Sequence, residues 1–205
     1  MCRELGILRK HRVIKPKVTS KISVNRIIKK SNELWEADIK YGYITGENKF
    51  FIILSFIDVF DRSIIGYHIG YELKSTDAVS LLKRCLLKRE FYDADVKPVI
   101  RTDNGPQFTS NLFEESCNEI NIYHEKVPCR TPNKNAHIKA FHRIFKDECL
   151  GIHEFCSYGH AYAEVAKFIQ RYNTKRLHSS LKYKAPEIFY ELNKGKEIES
   201  MAIHF

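Results

Sequence analysis

The sequence predicts an α/β domain built around a mixed sheet, and three observations indicate this fold class. Residues 34–41 alternate apolar and polar side chains, as a half-buried strand does. Residues 50–60 are almost continuously apolar and, with residues 63–71, are predicted to complete an antiparallel meander. After residue 75, segments with helical spacing alternate with short apolar runs. We therefore expect a five-stranded mixed sheet flanked by helices.

The second half of the chain supplies the remaining elements. Apolar residues at helical spacing follow the cap candidates Ser75-Thr76-Asp77 and predict a helix over residues 76–91. An apolar run from Val96 to Ile100 predicts a strand with Asp103 just beyond its end, before a Gly-Pro turn. Further predicted elements are a helix at 109–119, a strand at 120–127, a helix from Pro132 to about Cys149 and a longer helix from Ser157.

The positive charge lies in one segment. The net charge is +9, and residues 1–30 hold ten Lys or Arg against one acid, which leaves 24 of each sign in the rest of the chain. A basic arm on a neutral body is typical of proteins that contact the DNA backbone, and Lys10, Arg12, Lys15 and Lys17 are candidate contacts. A solvated terminus without a ligand is the alternative. We divide the chain into a basic arm or linker (1–30), a core (31–190) and a C-terminal tail (191–205).

Composition argues against several classes of protein. The six cysteines form no Cys-x-x-Cys pair, so the sequence indicates neither a disulfide framework nor a zinc knuckle and favours a reduced, intracellular setting. His137, His142 and His153, together with nearby cysteines, lack the spacing of a zinc site. No apolar run approaches about eighteen residues and no signal peptide is recognisable, so we expect no membrane association.

Two acidic side chains are predicted to meet at one end of the sheet. Asp38 lies on the first strand and Asp103 follows the fourth, so both carboxylates project into one cleft if these strands are neighbours. Two close carboxylates repel each other unless a cation neutralises them, and Mg²⁺ prefers such ligands. Alternatively, Asp38 pairs with a surface lysine and Asp103 caps its own turn.

Four segments carry a further pattern. They are residues 35–39 (Trp-Glu-Ala-Asp-Ile), residues 57–62 (Ile-Asp-Val-Phe-Asp-Arg), residues 102–110 (Thr-Asp-Asn-Gly-Pro-Gln-Phe-Thr-Ser), and residues 172–181 (Tyr-Asn-Thr-Lys-Arg-Leu-His-Ser-Ser-Leu) with Pro186. In this order and spacing they resemble the signatures of bacterial insertion-sequence transposases related to retroviral integrases, over roughly residues 30–190. The resemblance implies an RNase H-like fold, a catalytic core of two Asp and one Glu, and Mg²⁺ or Mn²⁺ as cofactor. The implied reaction is DNA cleavage and strand transfer, in which water or a DNA 3′-hydroxyl attacks a phosphodiester.

Asp38 and Asp103 match the two aspartates of this family as catalytic and metal-binding residues, but the third carboxylate is missing. The family places its Glu after thirty-five residues that follow the second Asp, and here that position is Lys139. The surrounding residues 131–142 look like the start of the family's helix, which usually carries acids where this chain has Lys134 and Lys139. Lys146 matches a basic residue that the family often has, and is a candidate DNA contact. An ammonium at position 139 repels cations, or pairs with Asp38 and Asp103 in their place.

Other acids and polar residues give weaker predictions. Glu148 lies nine residues along the same helix, about 13.5 Å away, which is too far to replace the missing acid, whereas Asp58 is nearer in principle. Arg176 and His178, with Asn173, either contact DNA phosphate or close the last long helix. Aromatic residues at positions 41, 43, 50 and 51 are predicted to be core rather than base-stacking surface.

The expected function is that of a transposase-type polynucleotidyl transferase impaired at its third acid. The alternatives are a non-catalytic DNA-binding or assembly module, and a remnant without a selected role. The resemblance implies double-stranded DNA, as transposon ends and target, and a homo-oligomer in a bacterial cytoplasm near the nucleoid. No helix-turn-helix is recognisable before the core, so end recognition is expected from a separate protein or an upstream domain.

Overall fold

A computed structural model describes residues 22–128 and 132–204 of the chain, which form seven strands and six α-helices. The strands are β1 (Ile27–Ile28), β2 (Leu34–Ile44), β3 (Lys49–Asp58), β4 (Ile64–Gly70), β5 (Val99–Thr102), β6 (His124–Lys126) and β7 (Ile203–His204). The α-helices are α1 (Ser75–Lys88), α2 (Pro106–Thr109), α3 (Asn111–Glu119), α4 (Ala136–Phe145), α5 (Tyr158–Thr174) and α6 (Pro186–Asn193).

The main sheet has five strands in the order β4-β3-β2-β5-β6. β2, β3 and β4 form the predicted antiparallel meander, and β5 and β6 continue the sheet parallel to β2. β2 and β5 are hydrogen-bonded neighbours in a register that sets Ala37 opposite Thr102. Asp38 and Asp103 directly follow Ala37 and Thr102 in the sequence. The predicted five-stranded mixed sheet is confirmed, and its two candidate acids leave adjacent strands.

Helices cover both faces of this sheet, which explains why β3 is apolar on both sides. One face packs Leu54 and Phe56 against α1 and α3, and the other packs Ile53 and Ile57 against α4 and α5. Phe141 of α4 lies within this second core and contacts several aromatic rings. Aromatic pairs of this kind add about 0.5–1.5 kcal/mol beyond area burial, so they help to fix α4 against α5.

The predicted aromatic core extends too far along β2 and β3. Phe51 is fully buried, but Phe50 is 65% exposed and Tyr41 is 60% exposed. Successive strand residues face opposite sides of a sheet, so Phe51 meets Phe155 while Phe50 points outward. The cluster under α1 and α3 reaches no further along β2 than Ile39. The prediction was therefore wrong for these exposed rings, because the β2–β3 hairpin extends past the helices.

Several predicted boundaries also move. α1 ends at Lys88, and Glu90 has a left-handed φ of 64°. The helix predicted from Pro132 to about Cys149 begins with a 3₁₀ turn (Pro132–Asn135), continues as α4, and ends in a π-helical turn (Lys146–Leu150). π-helical turns of this kind are often found at functional sites.

The segments at both ends of the described chain pack against the core. β1 pairs antiparallel with β7, and Ile198 donates a backbone hydrogen bond to Lys29. Ser23 donates to the Lys126 carbonyl at 3.0 Å, beside the edge strand β6. Lys10, Arg12, Lys15 and Lys17 lie outside the described residues, and the domain limits at residues 30 and 190 stay predictions.

The helices show no sign of a membrane span. None of those within residues 22–128 and 132–204 combines the length and apolar character needed to cross a bilayer.

Candidate active site

Asp38 lies where β2 passes beneath α4. Its Oδ1 accepts a hydrogen bond from the Ile39 amide at 2.8 Å, and its Oδ2 lies 3.6 Å from Nδ1 of His142 on α4. Burial, with a smaller contribution from the negative charge of Asp103, raises the pKa of Asp38 to about 6, whereas the hydrogen bond from Ile39 and the positive charge of Lys139 act in the opposite direction. These charge effects place Asp103 and Lys139 near Asp38, as the sequence predicts.

Asp103 occupies the turn after β5. Its Oδ1 accepts the Gly105 amide at 2.9 Å, which forms a local Asx turn. A Cβ on Gly105 would lie 2.3 Å from the Gln107 side-chain nitrogen, so glycine permits this tight turn. Asn104 donates to the Val127 carbonyl at 2.9 Å and ties the turn to the chain after β6. The turn-capping alternative is thus also observed, in a turn beside Asp38.

Lys139 projects from α4 as an exposed side chain. Among the described residues, Asp38 has His142 as its side-chain neighbour at 3.6 Å, and no ion pair joins Lys139 to either aspartate. Lys139 therefore acts on Asp38 through its field across the cleft. Lys139 thus lies on α4 at the position where the resemblance predicts the third acid.

Glu36 holds this helix in place, and sequence reasoning missed its role. It is fully buried on β2, and its Oε2 accepts the Ile138 amide in the first turn of α4 at 2.8 Å. Nδ1 of His137 lies 3.3 Å from the other carboxylate oxygen. The side chain of Asn135, the residue before the helix, makes no capping hydrogen bond. Glu36 on β2 therefore supplies an acceptor for a backbone amide at the start of α4. Burial raises the pKa of Glu36 to about 7, although its hydrogen bond to Ile138 and the charge of Arg101 oppose the shift.

The cleft between β2 and α4 has a volume of about 510 Å³ and a predominantly basic lining. It is lined by Asp38, Ile39, Lys40, Lys139, His142, Arg143, Lys146 and Asp147. Lys146, the predicted DNA contact, belongs to this cleft. Burial, followed by the charge of Lys40, lowers the pKa of His142 to about 4, so its ring is neutral near pH 7.

The donor set does not fit a two-ion site. Within the two described ranges, no group of three or more His, Cys, Asp or Glu side chains is arranged to hold a metal. Asp58 accepts hydrogen bonds from the Asn32 amide, Trp35 and the Phe60 amide, and Glu148 pairs with Arg176. Both acids are therefore engaged elsewhere, and neither replaces the missing carboxylate.

The polar residues in the last turn of α5 and just after it make contacts within the protein. Asn173 bonds both the amide and the carbonyl of Ile64 on the edge strand β4, and Arg176 pairs with Glu148. His178 packs edge-on against Tyr172 at 5.0 Å, and burial lowers its pKa to about 4. The structure thus gives Asn173 and Arg176 structural roles, while DNA contacts by Arg176 and His178 stay predictions.

Comparisons with known proteins agree with this arrangement. A family model described as "Integrase core domain" matches residues 29–132, and a second model with the same description matches residues 121–186. The chain belongs to the integrase core domain family. The family resemblance predicted from the four motifs is thereby confirmed.

Several relatives of this integrase core domain come from bacterial insertion elements. The chain is 29% identical to the IS407 uncharacterized 31.7 kDa protein of Burkholderia multivorans, covering 77% of this chain and 55% of the relative. It is 28% identical to the IS904 transposase of Lactococcus lactis, with coverages of 83% and 66%. It is 30% identical to the IS476 uncharacterized 39.2 kDa protein of Xanthomonas euvesicatoria, with coverages of 73% and 41%. The chain thus spans between 41% and 66% of these relatives.

Solved structures of low sequence identity share the fold. The intasome of simian T-cell lymphotropic virus matches 96% of this chain and 68% of its own, at 17% identity and a TM-score of 0.64. The catalytic domain of Mos1 mariner transposase matches 78% and 74%, at 15% identity and a TM-score of 0.58. The HTLV-2 integrase core, solved in complex with magnesium, matches 78% and 97%, at 19% identity and a TM-score of 0.52. The predicted RNase H-like fold is confirmed.

Proposed function

We propose that this chain is the core of an integrase-type transposase, built for DNA cleavage and strand transfer, in which Lys139 impairs catalysis. Membership of the integrase core domain family supports the reaction class. The observation that carries the impairment is the position of Lys139 on α4, from which its charge acts on Asp38.

Asp38 and Asp103 are the residues that would hold a divalent ion. In this chemistry Mg²⁺ or Mn²⁺ supplies activation of the attacking oxygen and stabilisation of the leaving oxygen. The magnesium complex of the HTLV-2 integrase core supports the choice of ion. Lys139 opposes its binding, because two unit positive charges about 4 Å apart repel by about 4 kcal/mol at an effective dielectric of 20, and a divalent ion carries twice the unit charge. The Ile39 amide orients the Asp38 carboxylate, and the Gly105 amide orients Asp103.

Double-stranded DNA, as transposon ends and target, is the proposed partner. Ser23 lies beside Lys126 at the carboxyl end of β6, and β6 runs parallel to the strand that leads to Asp103. The described part of the basic arm therefore passes the end of the sheet from which the chain leaves toward Asp103. We further propose a homo-oligomer and recognition of DNA ends by a separate helix-turn-helix protein or domain, in a bacterial cytoplasm at the nucleoid. The structural neighbours support assembly, because they include a viral intasome and trimeric and dimeric forms of the HTLV-2 integrase core.

Lys139→Glu tests this proposal. In Mn²⁺ or Mg²⁺, the unaltered chain is expected to leave plasmid DNA intact, and Lys139→Glu to nick it in a metal-dependent manner. Lys139→Gln removes the charge without adding a ligand and is expected to stay inactive, which separates restored coordination from relief of repulsion. Lys139→Glu combined with Asp103→Asn is expected to be inactive. Robust metal-dependent turnover by the unaltered chain would refute the impairment.

Metal-linked stability gives a second readout that does not need the correct DNA sequence. A ligand present at 100 times its Kd stabilises a protein by about 2.7 kcal/mol. Mn²⁺ is therefore expected to raise the Tm of Lys139→Glu but not that of Lys139→Gln. If Mn²⁺ leaves the Tm of Lys139→Glu unchanged, the proposed active site is wrong.

A further inference from the structure

The cleft beside Asp38 carries more positive than negative side chains. Four cations line it, from Lys40 on β2 and from Lys139, Arg143 and Lys146 on the helical segment opposite. The carboxylates are Asp38 and Asp147 in the lining, with Asp103 adjacent. With a glutamate at position 139 the balance would be three cations against four carboxylates, so the lysine reverses the sign of the cleft.

The positive side chains converge on the same space. Positions 139, 143 and 146 recur at intervals of four and three residues, which places them along one face of a helix. Lys40 lies two residues after Asp38, so it emerges on the same side of β2 and faces this helix from below. The cleft is therefore bounded by cations from both elements that form it.

These cations are accessible to a ligand. In the described part of the chain, Arg143 approaches Asp147 at 4.0 Å, while its side chain is 86% exposed. No ion pair within the same residues engages Lys40, Lys139 or Lys146, although the charge of Lys139 acts on Asp38 and that of Lys40 acts on His142. Exposed ammonium groups gain free energy from phosphate when condensed counterions are released from DNA.

We propose that this cleft binds a DNA phosphodiester without a divalent cation, with the Lys139 ammonium supplying positive charge that bound metal supplies in an intact Asp-Asp-Glu site. This inference rests on the proposed function, because it takes the DNA path of the integrase core as given. Lysine at position 139 therefore has two effects. It weakens metal binding, and it makes DNA binding at the cleft independent of metal.

A competing arrangement would cancel this gain. If Lys139 closed onto Asp38 and Asp103 as an internal ion pair, its charge would be neutralised and no phosphate would be held. The exposed position of Lys139 and the absence of such a pair among the described residues favour the phosphate site.

The test measures DNA affinity of the full chain in EDTA. The probe is a short fluorescent duplex of random sequence, titrated between 50 and 200 mM salt with the unaltered chain, Lys139→Glu and Lys139→Gln. Lys83→Glu, on α1 at the opposite face of the sheet, is the control with the same change of charge. Lys139→Glu is expected to weaken binding in EDTA roughly tenfold and to lower the slope of log K against log salt by about one. The affinity of Lys139→Gln is expected to lie between those of the unaltered chain and Lys139→Glu. Mg²⁺ is expected to restore DNA binding only to Lys139→Glu.

The outcomes separate this inference from the proposed function. Equal affinities of Lys139→Glu and Lys83→Glu in EDTA would overturn the phosphate site, even if Mn²⁺ stabilises Lys139→Glu and so upholds the metal site. A loss of affinity in Lys139→Glu without any stabilisation by Mn²⁺ would support the phosphate site and count against the proposed catalytic lineage. Competition by inorganic phosphate at millimolar concentration distinguishes a site for isolated phosphate from one that needs DNA.

Discussion

Replacing Glu36 by glutamine is expected to change how stability depends on pH, because this buried carboxylate joins α4 to β2. Its pKa lies near 7 in the folded protein, against an ordinary value near 4.5. An acid whose pKa is raised on folding binds protons more strongly in the folded state. The folded protein therefore loses stability as pH rises from about 4.5 to about 7, and above that range the loss is complete.

The magnitude follows from the size of the shift. One pKa unit corresponds to 1.36 kcal/mol, so the ionised form of Glu36 costs the folded protein about 3 kcal/mol above pH 7. Glutamine keeps an acceptor for the Ile138 amide but carries no charge. Glu36→Gln is thus expected to unfold at a similar free energy near pH 5 and to be more stable than the unaltered chain by up to about 3 kcal/mol near pH 8.

Urea denaturation between pH 5 and pH 8 provides the measurement. Glu36→Ala leaves the Ile138 amide without an acceptor in the core, so it is expected to lose about 2–4 kcal/mol near pH 5, and the difference from the unaltered chain is expected to shrink toward pH 8, where the unaltered chain carries the cost of ionised Glu36. Glu115→Gln removes a charge from an exposed site on α3 and is expected to change the free energy of unfolding by less than about 0.5 kcal/mol. The reasoning fails if Glu36→Gln shows the same pH dependence as the unaltered chain and loses as much stability as Glu36→Ala.

Two further predictions each compare a buried residue with an exposed residue of the same type, and both are measured by urea denaturation at pH 7. Phe51→Ala empties a fully buried site and is expected to cost about 3–5 kcal/mol, whereas Phe50→Ala next to it should cost less than about 1 kcal/mol; similar losses would contradict the outward direction of Phe50. Arg89→Met breaks a buried pair with Asp61 at 3.3 Å and is expected to cost about 3–5 kcal/mol. Arg84→Met, on the exposed side of α1, should change stability by less than about 0.5 kcal/mol, and a comparable loss there would show that the effect of Arg89 is not due to its ion pair.

The position of the site was predictable because it depends on patterns within short segments. The alternation in β2 indicates which residues share a face with Asp38, and the apolar run before Asp103 indicates a strand end. The pairing of β2 with β5 then brings both aspartates to one cleft. The alternation and the apolar run do not show that β2 and β5 are neighbours. The family motifs supplied the reason to expect that pairing.

The role of Glu36 was not predictable from the same alternation. A polar residue on one face of a strand is consistent with a solvent-exposed face, and the pattern carries no information about a helix more than 100 residues later that covers it. The aromatic error on β2 and β3 has the same origin. Residue type predicted burial for Phe50, but burial depends on how far the covering helices extend along the sheet, and this is a property of the tertiary structure.

The stability of the fold and the chemistry of the cleft are separable at position 139. The buried contacts that hold α4 come from Glu36 at its first turn and from the packing of Phe141 and Phe145 on the sheet, and none of them uses the Lys139 side chain. Substituting an exposed helical residue usually changes stability by less than about 0.5 kcal/mol. Exchange of lysine for glutamate changes the charge facing Asp38 and Asp103 by two units. A chain with Lys139 is thus expected to keep the frame of an integrase core intact, so a single substitution is enough to ask whether the missing carboxylate alone separates it from catalysis.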